Sequence, residues 1–200
     1  MKKVNNKMKI SIGFIGAGNM GLPMLKNLKR DGFNIKVYDQ DKKVTKKLEK
    51  EKIKSVNNLR AVANNDFIIS ILPDTTDVES VFNYETGINQ FLKPGTIVID
   101  MSTISSSSAI EIGKTLHKQQ VEFLDAPVSG GVKGAIESNL SIMVGGKKDT
   151  FKKSLFILNS FGKNIVYAGK LGMGQVFKMC NQVMVGSHIQ AMCEAFALCK

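Results

Sequence analysis

A single lysine interrupts an apolar stretch near the end of the chain. The sequence reads "GMGQVFKMCNQ", with Lys178 between Phe177 and Met179. If this stretch is helical, Asn181 and Gln182 follow at i+3 and i+4, so three polar side chains share one face. Burial would lower the pKa of the lysine towards the range useful to a general acid or base, whereas a bound anion would oppose that shift. The alternative is a surface lysine whose stem lies along apolar neighbours.

A glycine-rich turn near the start has the spacing of a dinucleotide-binding loop. In "KISIGFIGAGNMGLPM" three glycines follow an apolar run in G-x-G-x-x-G order. The first makes the turn, the second lets the backbone approach a pyrophosphate, and the third allows close packing of helix on strand. A simple turn is the alternative. The predicted cofactor-binding residues of this loop are Gly16, Ala17, Gly18, Asn19, Met20 and Gly21.

An acidic residue follows the next apolar run. Asp39, in "KVYDQ", lies at about the 20-residue distance expected of a carboxylate that accepts hydrogen bonds from the adenosine ribose. Such a carboxylate repels a 2′-phosphate, so NAD is favoured over NADP. Two alternatives remain, because Asp39 could cap the next helix and Lys42 and Lys43 could attract a phosphate.

Two later strand ends are predicted to complete the cofactor groove, because ligands of open α/β sheets lie beyond the carboxyl ends of the strands. Thr103 could also cap the helix that follows it. The predicted groove residues are Leu72, Pro73 and Thr103.

The elements that position these residues follow from the alternation of short apolar runs with longer amphipathic ones. This pattern predicts βαβ units and an α/β, Rossmann-type, doubly wound and mostly parallel sheet. The predicted strands are 10–15, 35–38, 66–72, 96–100, 121–124, 140–144 and 164–167. The predicted helices are 20–30, 42–51, 57–64, 77–83, 106–117 and 150–159.

A long helix is predicted from residue 173 to the end, where no proline occurs and apolar residues cover nearly every face beyond Gln182. We expect three parts: an N-terminal extension (1–9), an NAD-binding domain (10–170) and the start of an interdomain helix (171–200). The chain is expected to end inside that helix, so that a following domain is missing from this sequence.

The composition limits the classes of partner. Lys and Arg outnumber Asp and Glu by 28 to 17, giving a formal net charge of +11. The lysines are spread along the chain without a nucleic-acid module, so we expect no nucleic-acid partner; an anionic macromolecule is the alternative. The three cysteines match no zinc motif, and no metal site is expected. No apolar run approaches about 18 residues, and the first residues lack the apolar core of a signal peptide, which favours a cytoplasmic protein without a membrane partner.

Four motifs in order resemble the β-hydroxyacid dehydrogenase family: "GFIGAGNMG", "DAPVSGGVKGA", "LSIMVGG" and "GMGQVFKMCNQ". The resemblance implies that Lys178 exchanges a proton with the substrate hydroxyl while a hydride passes to the nicotinamide. It also implies that an all-helical second domain closes the site and makes dimer contacts, so a homo-oligomer is expected. Where many members have two asparagines, this sequence has Asn181 then Gln182, which are predicted to contact the substrate.

The resemblance also implies that the substrate carboxylate is bound by Ser129, Gly130 and Gly131. A serine hydroxyl followed by glycines at a strand end offers donors suited to an anion, and a flexible connection is the alternative.

The sequence therefore predicts an NAD-dependent dehydrogenase of a small 3-hydroxy acid such as 3-hydroxyisobutyrate. Three alternatives stay open. One is a tartronate semialdehyde reductase or related semialdehyde reductase. Another is a 6-phosphogluconate dehydrogenase-like enzyme, against which the lack of a "KMVHN"-like string and of an arginine near Lys178 counts. The third is a non-catalytic nucleotide-binding fragment.

Overall fold

Eight strands in the described part of the chain form one sheet. The structure is a computed structural model that describes residues 10–199, so the predicted extension at residues 1–9 lies outside it. The strands are β1 (Ser11–Ile15), β2 (Asn34–Tyr38), β3 (Phe67–Ser70), β4 (Ile97–Asp100), β5 (Glu122–Asp125), β6 (Val128–Ser129), β7 (Leu140–Gly146) and β8 (Gly162–Gly169).

Helices connect most of these strands. They are α1 (Gly21–Arg30), α2 (Lys42–Lys50), α3 (Leu59–Ala63), α4 (Thr75–Val81), α5 (Ser106–Lys118), α6 (Gly131–Ile136), α7 (Lys148–Leu158) and α8 (Met173–Leu198), with a 3₁₀ turn at Ile88–Phe91.

Most strand pairs are parallel. The order β2-β1-β3-β4-β5 is parallel throughout, β7 is antiparallel to β5, and β8 is parallel to β7. The short strand β6 pairs with the same edge of β7 as β5 does, because Gly145 faces Asp125 while Ser141 faces Ser129. The predicted mostly parallel sheet is confirmed.

Apolar clusters cover both faces of the sheet, as a doubly wound fold requires. Alternate residues of β3 separate to the two sides: Phe67 and Ile69 pack with α1, α2 and α7, whereas Ile68 packs with α3, α4 and α5. These central strands are buried on both faces, which explains why they are continuous apolar runs in the sequence.

The structure adds three elements that the sequence did not predict: β6, α6 and the 3₁₀ turn at Ile88–Phe91. A two-residue strand shows no periodicity, and the glycines at the start of α6 look like a turn in the sequence. Helix α4 begins two residues before the predicted start because the Asp74 side chain accepts a hydrogen bond from Asp77 N–H (2.9 Å).

The long helix predicted from residue 173 is confirmed as α8. Its first turns pack against β5 and β7, and its buried residues are Gly174, Gln175 and Lys178. From Met184 onward every residue is exposed as far as Cys199. None of the helices within residues 10–199 is long and apolar enough to cross a membrane.

Candidate functional site

A cavity of about 420 Å³ opens where the chain leaves β1 and β3 towards opposite faces of the sheet. It is lined by the glycine turn after β1, residues 38–41 at the end of β2 and beyond it, residues 71–73 after β3 and one side of α4. Such a switch point is where open α/β sheets bind their ligands.

The three glycines of the turn meet different surroundings. Gly16 has φ +90°, and a Cβ there would lie 2.3 Å from the Ile71 carbonyl oxygen. A Cβ on Gly21 would lie 2.0 Å from the Gly16 carbonyl oxygen, so α1 can pack on the turn only with glycine there. No atom lies within 4 Å of the Cβ position on Gly18, which therefore opens onto free space beside the cavity. The turn thus meets the steric requirements of the G-x-G-x-x-G pattern.

Asp39 is tied to the glycine turn. Ala17 N–H donates to its Oδ2 (2.7 Å) and Asp41 N–H donates to its Oδ1 (2.8 Å). The cap of α2 is Asp41, which accepts from Lys43 N–H, so the interpretation of Asp39 as that cap is wrong. Both aspartates line the cavity, so two negative charges would oppose a 2′-phosphate there.

The other predicted cofactor residues separate into two groups. Asn19, Met20, Leu72 and Pro73 line the cavity, whereas Thr103 is exposed and is not among the lining residues. Leu72 N–H donates to Ser102 Oγ (2.9 Å), which fixes the loop after β3. The alternative capping role of Thr103 is wrong, because Ser105 caps α5 and accepts from Ser108 N–H (3.0 Å).

Lys178 is buried, with only 7% of its surface exposed, which argues against a surface lysine. Burial lowers the pKa of its amine below the ordinary lysine value. Its Nζ donates to Gln182 Oε1 (2.9 Å), one turn further along α8. The Oδ1 atom of Asn181 is buried and has no hydrogen-bond partner within residues 10–199, so it is free to accept from a ligand. The predicted polar face of Lys178, Asn181 and Gln182 is present.

Asp125 holds the beginning of α8, a role that the sequence did not reveal. Its Oδ1 accepts from Gly172 N–H (2.8 Å) and its Oδ2 accepts from Gln175 N–H (3.0 Å). The helix has no side-chain cap of its own. The available signal was the one that identified Asp39, an acid that ends an apolar run, in "EFLDAP".

Gln175 links the same helical turn to the loop after β4. Its Nε2 donates to the Ser102 carbonyl oxygen (2.9 Å), and its Oε1 accepts from Ile104 N–H (3.1 Å). Ser102 in turn donates through Oγ to Asp100 Oδ1 (2.6 Å). A buried polar chain therefore joins α8 to the loops beside the cavity.

This buried polar network includes two carboxyl groups, at the ends of β4 and β5. Burial raises the pKa of Asp100 to about 6, against hydrogen bonds from Ser102 and Ser70 that favour the carboxylate. Burial also raises the pKa of Asp125 to about 6, and the charge of Asp100 adds to that rise. Asp100 Oδ2 has no hydrogen-bond partner in the described residues.

The predicted carboxylate-binding residues follow Asp125 directly. Ser129 is half-buried in β6, and Gly130 and Gly131 are exposed at the start of α6 with φ of +127° and +61°. Both glycines thus adopt backbone that other residues rarely adopt. The two glycines follow β6, which pairs with β7, and α8 packs on β7.

Comparison with known proteins identifies the family. Residues 11–169 match the model of the NAD binding domain of 6-phosphogluconate dehydrogenase. The chain is 40% identical to "Probable 3-hydroxyisobutyrate dehydrogenase, mitochondrial" of Dictyostelium discoideum, over 94% of this chain and 59% of that protein. It is 36% identical to 2-(hydroxymethyl)glutarate dehydrogenase of Eubacterium barkeri, over 94% of this chain and 63% of that protein. The chain belongs to the β-hydroxyacid dehydrogenase family.

A solved structure supports the same assignment for this β-hydroxyacid dehydrogenase family member. Mycobacterium tuberculosis 3-hydroxyisobutyrate dehydrogenase, solved with L-serine, is 33% identical with a TM-score of 0.89. The alignment covers 94% of this chain and 64% of that chain. The chain thus spans about three fifths of the length of these relatives.

Proposed function

We propose that this chain carries the cofactor site and proton-transfer lysine of an NAD-dependent dehydrogenase acting on a small 3-hydroxy acid. The observation that carries the proposal is the burial of Lys178 on α8, whose first turn is bound to Asp125 at the carboxyl end of β5. The open Gly18 turn follows the carboxyl end of β1 in the same sheet. The family membership supports it.

The proposed substrate class is supported by the compounds that the names and titles of three relatives mention. 3-Hydroxyisobutyrate, 2-(hydroxymethyl)glutarate and L-serine each have a CH₂OH group on the carbon that bears the carboxylate. We infer that Ser129, Gly130 and Gly131 bind that carboxylate and that Lys178, with Asn181 and Gln182, contacts the hydroxyl. Tartronate semialdehyde, which is reduced to a compound of the same pattern, stays an alternative substrate.

The lysine would move the hydroxyl proton. In oxidation the neutral amine accepts the O–H proton as the carbonyl forms, and in reduction the ammonium returns it. Burial favours the neutral amine and so supports the oxidation step. The nicotinamide, when bound, takes up or supplies the hydride. Asp39 and Asp41 would favour NAD over NADP, because both carboxylates line the cavity and would repel a 2′-phosphate.

We also propose that residues 10–170 form the NAD-binding domain and that 171–200 begin a helix between domains. The exposed apolar side chains of α8 beyond Gln182 support this, because such surface is normally covered by other protein. A homo-oligomer and a cytoplasmic location stay predictions.

A substrate panel tests the function. Oxidation of 3-hydroxyisobutyrate, glycerate and 4-hydroxybutyrate would be followed with NAD and with NADP for the wild type, Lys178→Ala and Lys170→Ala. Lys170 is an exposed lysine just before α8 and serves as the matched control. We expect Lys178→Ala to lose roughly 100- to 10,000-fold in kcat and to keep NAD binding.

Other outcomes reject particular parts of the proposal. Undiminished turnover by Lys178→Ala would remove the lysine from catalysis, and equal affinity for the two cofactors would contradict the roles of Asp39 and Asp41. Tight NAD binding without turnover of any substrate would favour the alternative of a non-catalytic nucleotide-binding fragment.

A further inference from the structure

The start of α8 is fixed from outside the helix. The first N–H groups of any helix lack partners within it, and its N-terminus favours a negative charge. Gly172, the cap residue, has no side chain to accept from them, and both oxygens of Asp125 do so instead. One carboxylate of the sheet thus takes the place of the missing helix cap.

The backbone of α8 also presses directly on the sheet. A Cβ on Gly174 would lie 2.5 Å from the carbonyl oxygens of both Asp125 and Met143. A Cβ on Gly145 would lie 2.4 Å from Asp125 Oδ1. Without side chains between them, the first turn of α8 cannot move against β5 and β7 without losing these contacts.

Lys178 lies one turn beyond this attachment. It is three residues after Gln175, whose side chain is anchored to Ser102 and Ile104. Because a helix transmits the position of one turn to the next, the place and burial of the amine depend on how the first turn is held. Ser102 also accepts from Leu72 N–H at the cavity wall, so the same contacts set α8 relative to the cofactor loops.

We infer that Asp125 and Gln175 are positioning residues for the amine of Lys178. Asp125 caps α8 from the end of β5, and Gln175 joins the helix to the loop after β4. This inference rests on the proposed role of Lys178, but the burial of the amine can be measured without any turnover.

The test uses two site variants and one control. Asp125→Asn keeps the shape of the side chain but replaces one acceptor oxygen by a donor. Gln175→Met keeps a side chain of similar length, removes both anchoring hydrogen bonds and leaves the net charge unchanged. Asp66→Asn is the matched control, because Asp66 accepts from Ser11 N–H and Ser11 Oγ (each 2.8 Å) at the opposite end of the sheet.

The main readout is the pH dependence of acetylation of Lys178 by acetic anhydride, followed by mass spectrometry of its peptide. Exposed Lys170 in the same sample is the internal reference. We expect the pKa of Lys178 to lie below the ordinary lysine value in the wild type, because its amine is buried, and to rise towards that value in both site variants. Loss of a negative charge would by itself lower the pKa of a lysine, so a rise in Asp125→Asn reports exposure of the amine.

The second readout is turnover with NAD. We expect kcat to fall roughly 100-fold in both site variants, because small displacements of a catalytic group have effects of this size. NAD binding by the site variants should stay at the wild-type level, and so should the turnover of the Asp66→Asn control. An unchanged acetylation profile of Lys178 in both folded site variants would overturn the inference, whatever happens to turnover.

Two outcomes would leave the inference testable, namely a variant that does not fold and a wild type without turnover. If Asp125→Asn does not fold, Gln175→Met decides alone, because it leaves the Asp125 carboxylate in place. If the wild type turns over none of the acids, the proposed function fails, while the acetylation profile still decides the inference.

Discussion

At the scale of residues, the glycine turn separates two demands that the sequence motif combines. Gly21 is required by the protein itself, since its Cβ position lies 2.0 Å from the Gly16 carbonyl oxygen. Packing does not require Gly18, because no atom lies within 4 Å of its Cβ position. A glycine that packing does not explain, beside a cavity of about 420 Å³, is best explained by a ligand that passes close to the backbone.

Alanine at these two positions should therefore affect different properties, NAD binding at Gly18 and stability at Gly21. We expect Gly18→Ala to keep the stability of the wild type but to bind NAD at least about tenfold more weakly, which is about 1.4 kcal/mol. Gly21→Ala should instead lower the free energy of unfolding by roughly 2–4 kcal/mol, because the clash is with backbone. Urea unfolding and NAD titration measure the two effects. Wild-type NAD affinity in Gly18→Ala would contradict the predicted pyrophosphate position.

At the scale of elements, the ends of β4 and β5 place two carboxyl groups in the interior. Asp100 and Asp125 are fully buried, and burial raises the pKa of each to about 6. Burial of the ionised groups is unfavourable, and both groups lie where α8 and the loops beside the cavity are joined. Groups with strongly shifted pKa values are enriched at functional sites.

The two carboxyl groups should make stability fall as pH rises. Between pH about 4 and about 6 the folded state binds more protons at these groups than the unfolded state does. Each group therefore removes stability across this window, on the order of 2–3 kcal/mol once ionised. Asp74 acts in the opposite direction, because hydrogen bonds from Asp77 N–H and Thr76 lower its pKa.

The informative measurement is thus a difference between two proteins. Urea unfolding of the wild type and of Asp100→Asn would be compared across the same pH window. We expect the stability of Asp100→Asn relative to the wild type to increase as pH rises from about 4 to about 6. A constant difference would show that Asp100 does not titrate there.

At the scale of the whole molecule, one helix separates buried and exposed surface. The first turns of α8 are packed on the sheet, whereas large apolar side chains beyond Gln182 are exposed, among them Met184, Ile189 and Phe196. Contiguous apolar surface of this kind promotes association in water. The net charge of +11 opposes association but is not concentrated on α8, whose described residues include one lysine and one glutamate.

We expect the chain to self-associate as its concentration rises, because association covers the exposed side of α8. The double variant Met184→Gln/Phe196→Gln should reduce this association, and Tyr84→Gln, which changes an exposed aromatic residue away from α8, should not. Sedimentation velocity over a concentration series measures both. Equal association of the two variants would locate the contact elsewhere.

Features that depend on local order could be predicted from the sequence alone. Alternating apolar runs predicted the parallel sheet, since the strands are buried on both faces and the helices on one. Spacing identified the glycine turn, Asp39 and the polar face around Lys178, because each needs only a strand, a turn or a helix to be formed.

Contacts between residues that are distant in the sequence could be identified only after the strands and helices were packed together. Asp125 contacts N–H groups 47 and 50 residues away, and no periodicity encodes such a pairing. The same holds for β6, whose two residues become a strand only because β7 lies beside them. The lysine could therefore be found in the sequence, but what holds it in place became visible only when strands and helix were packed together.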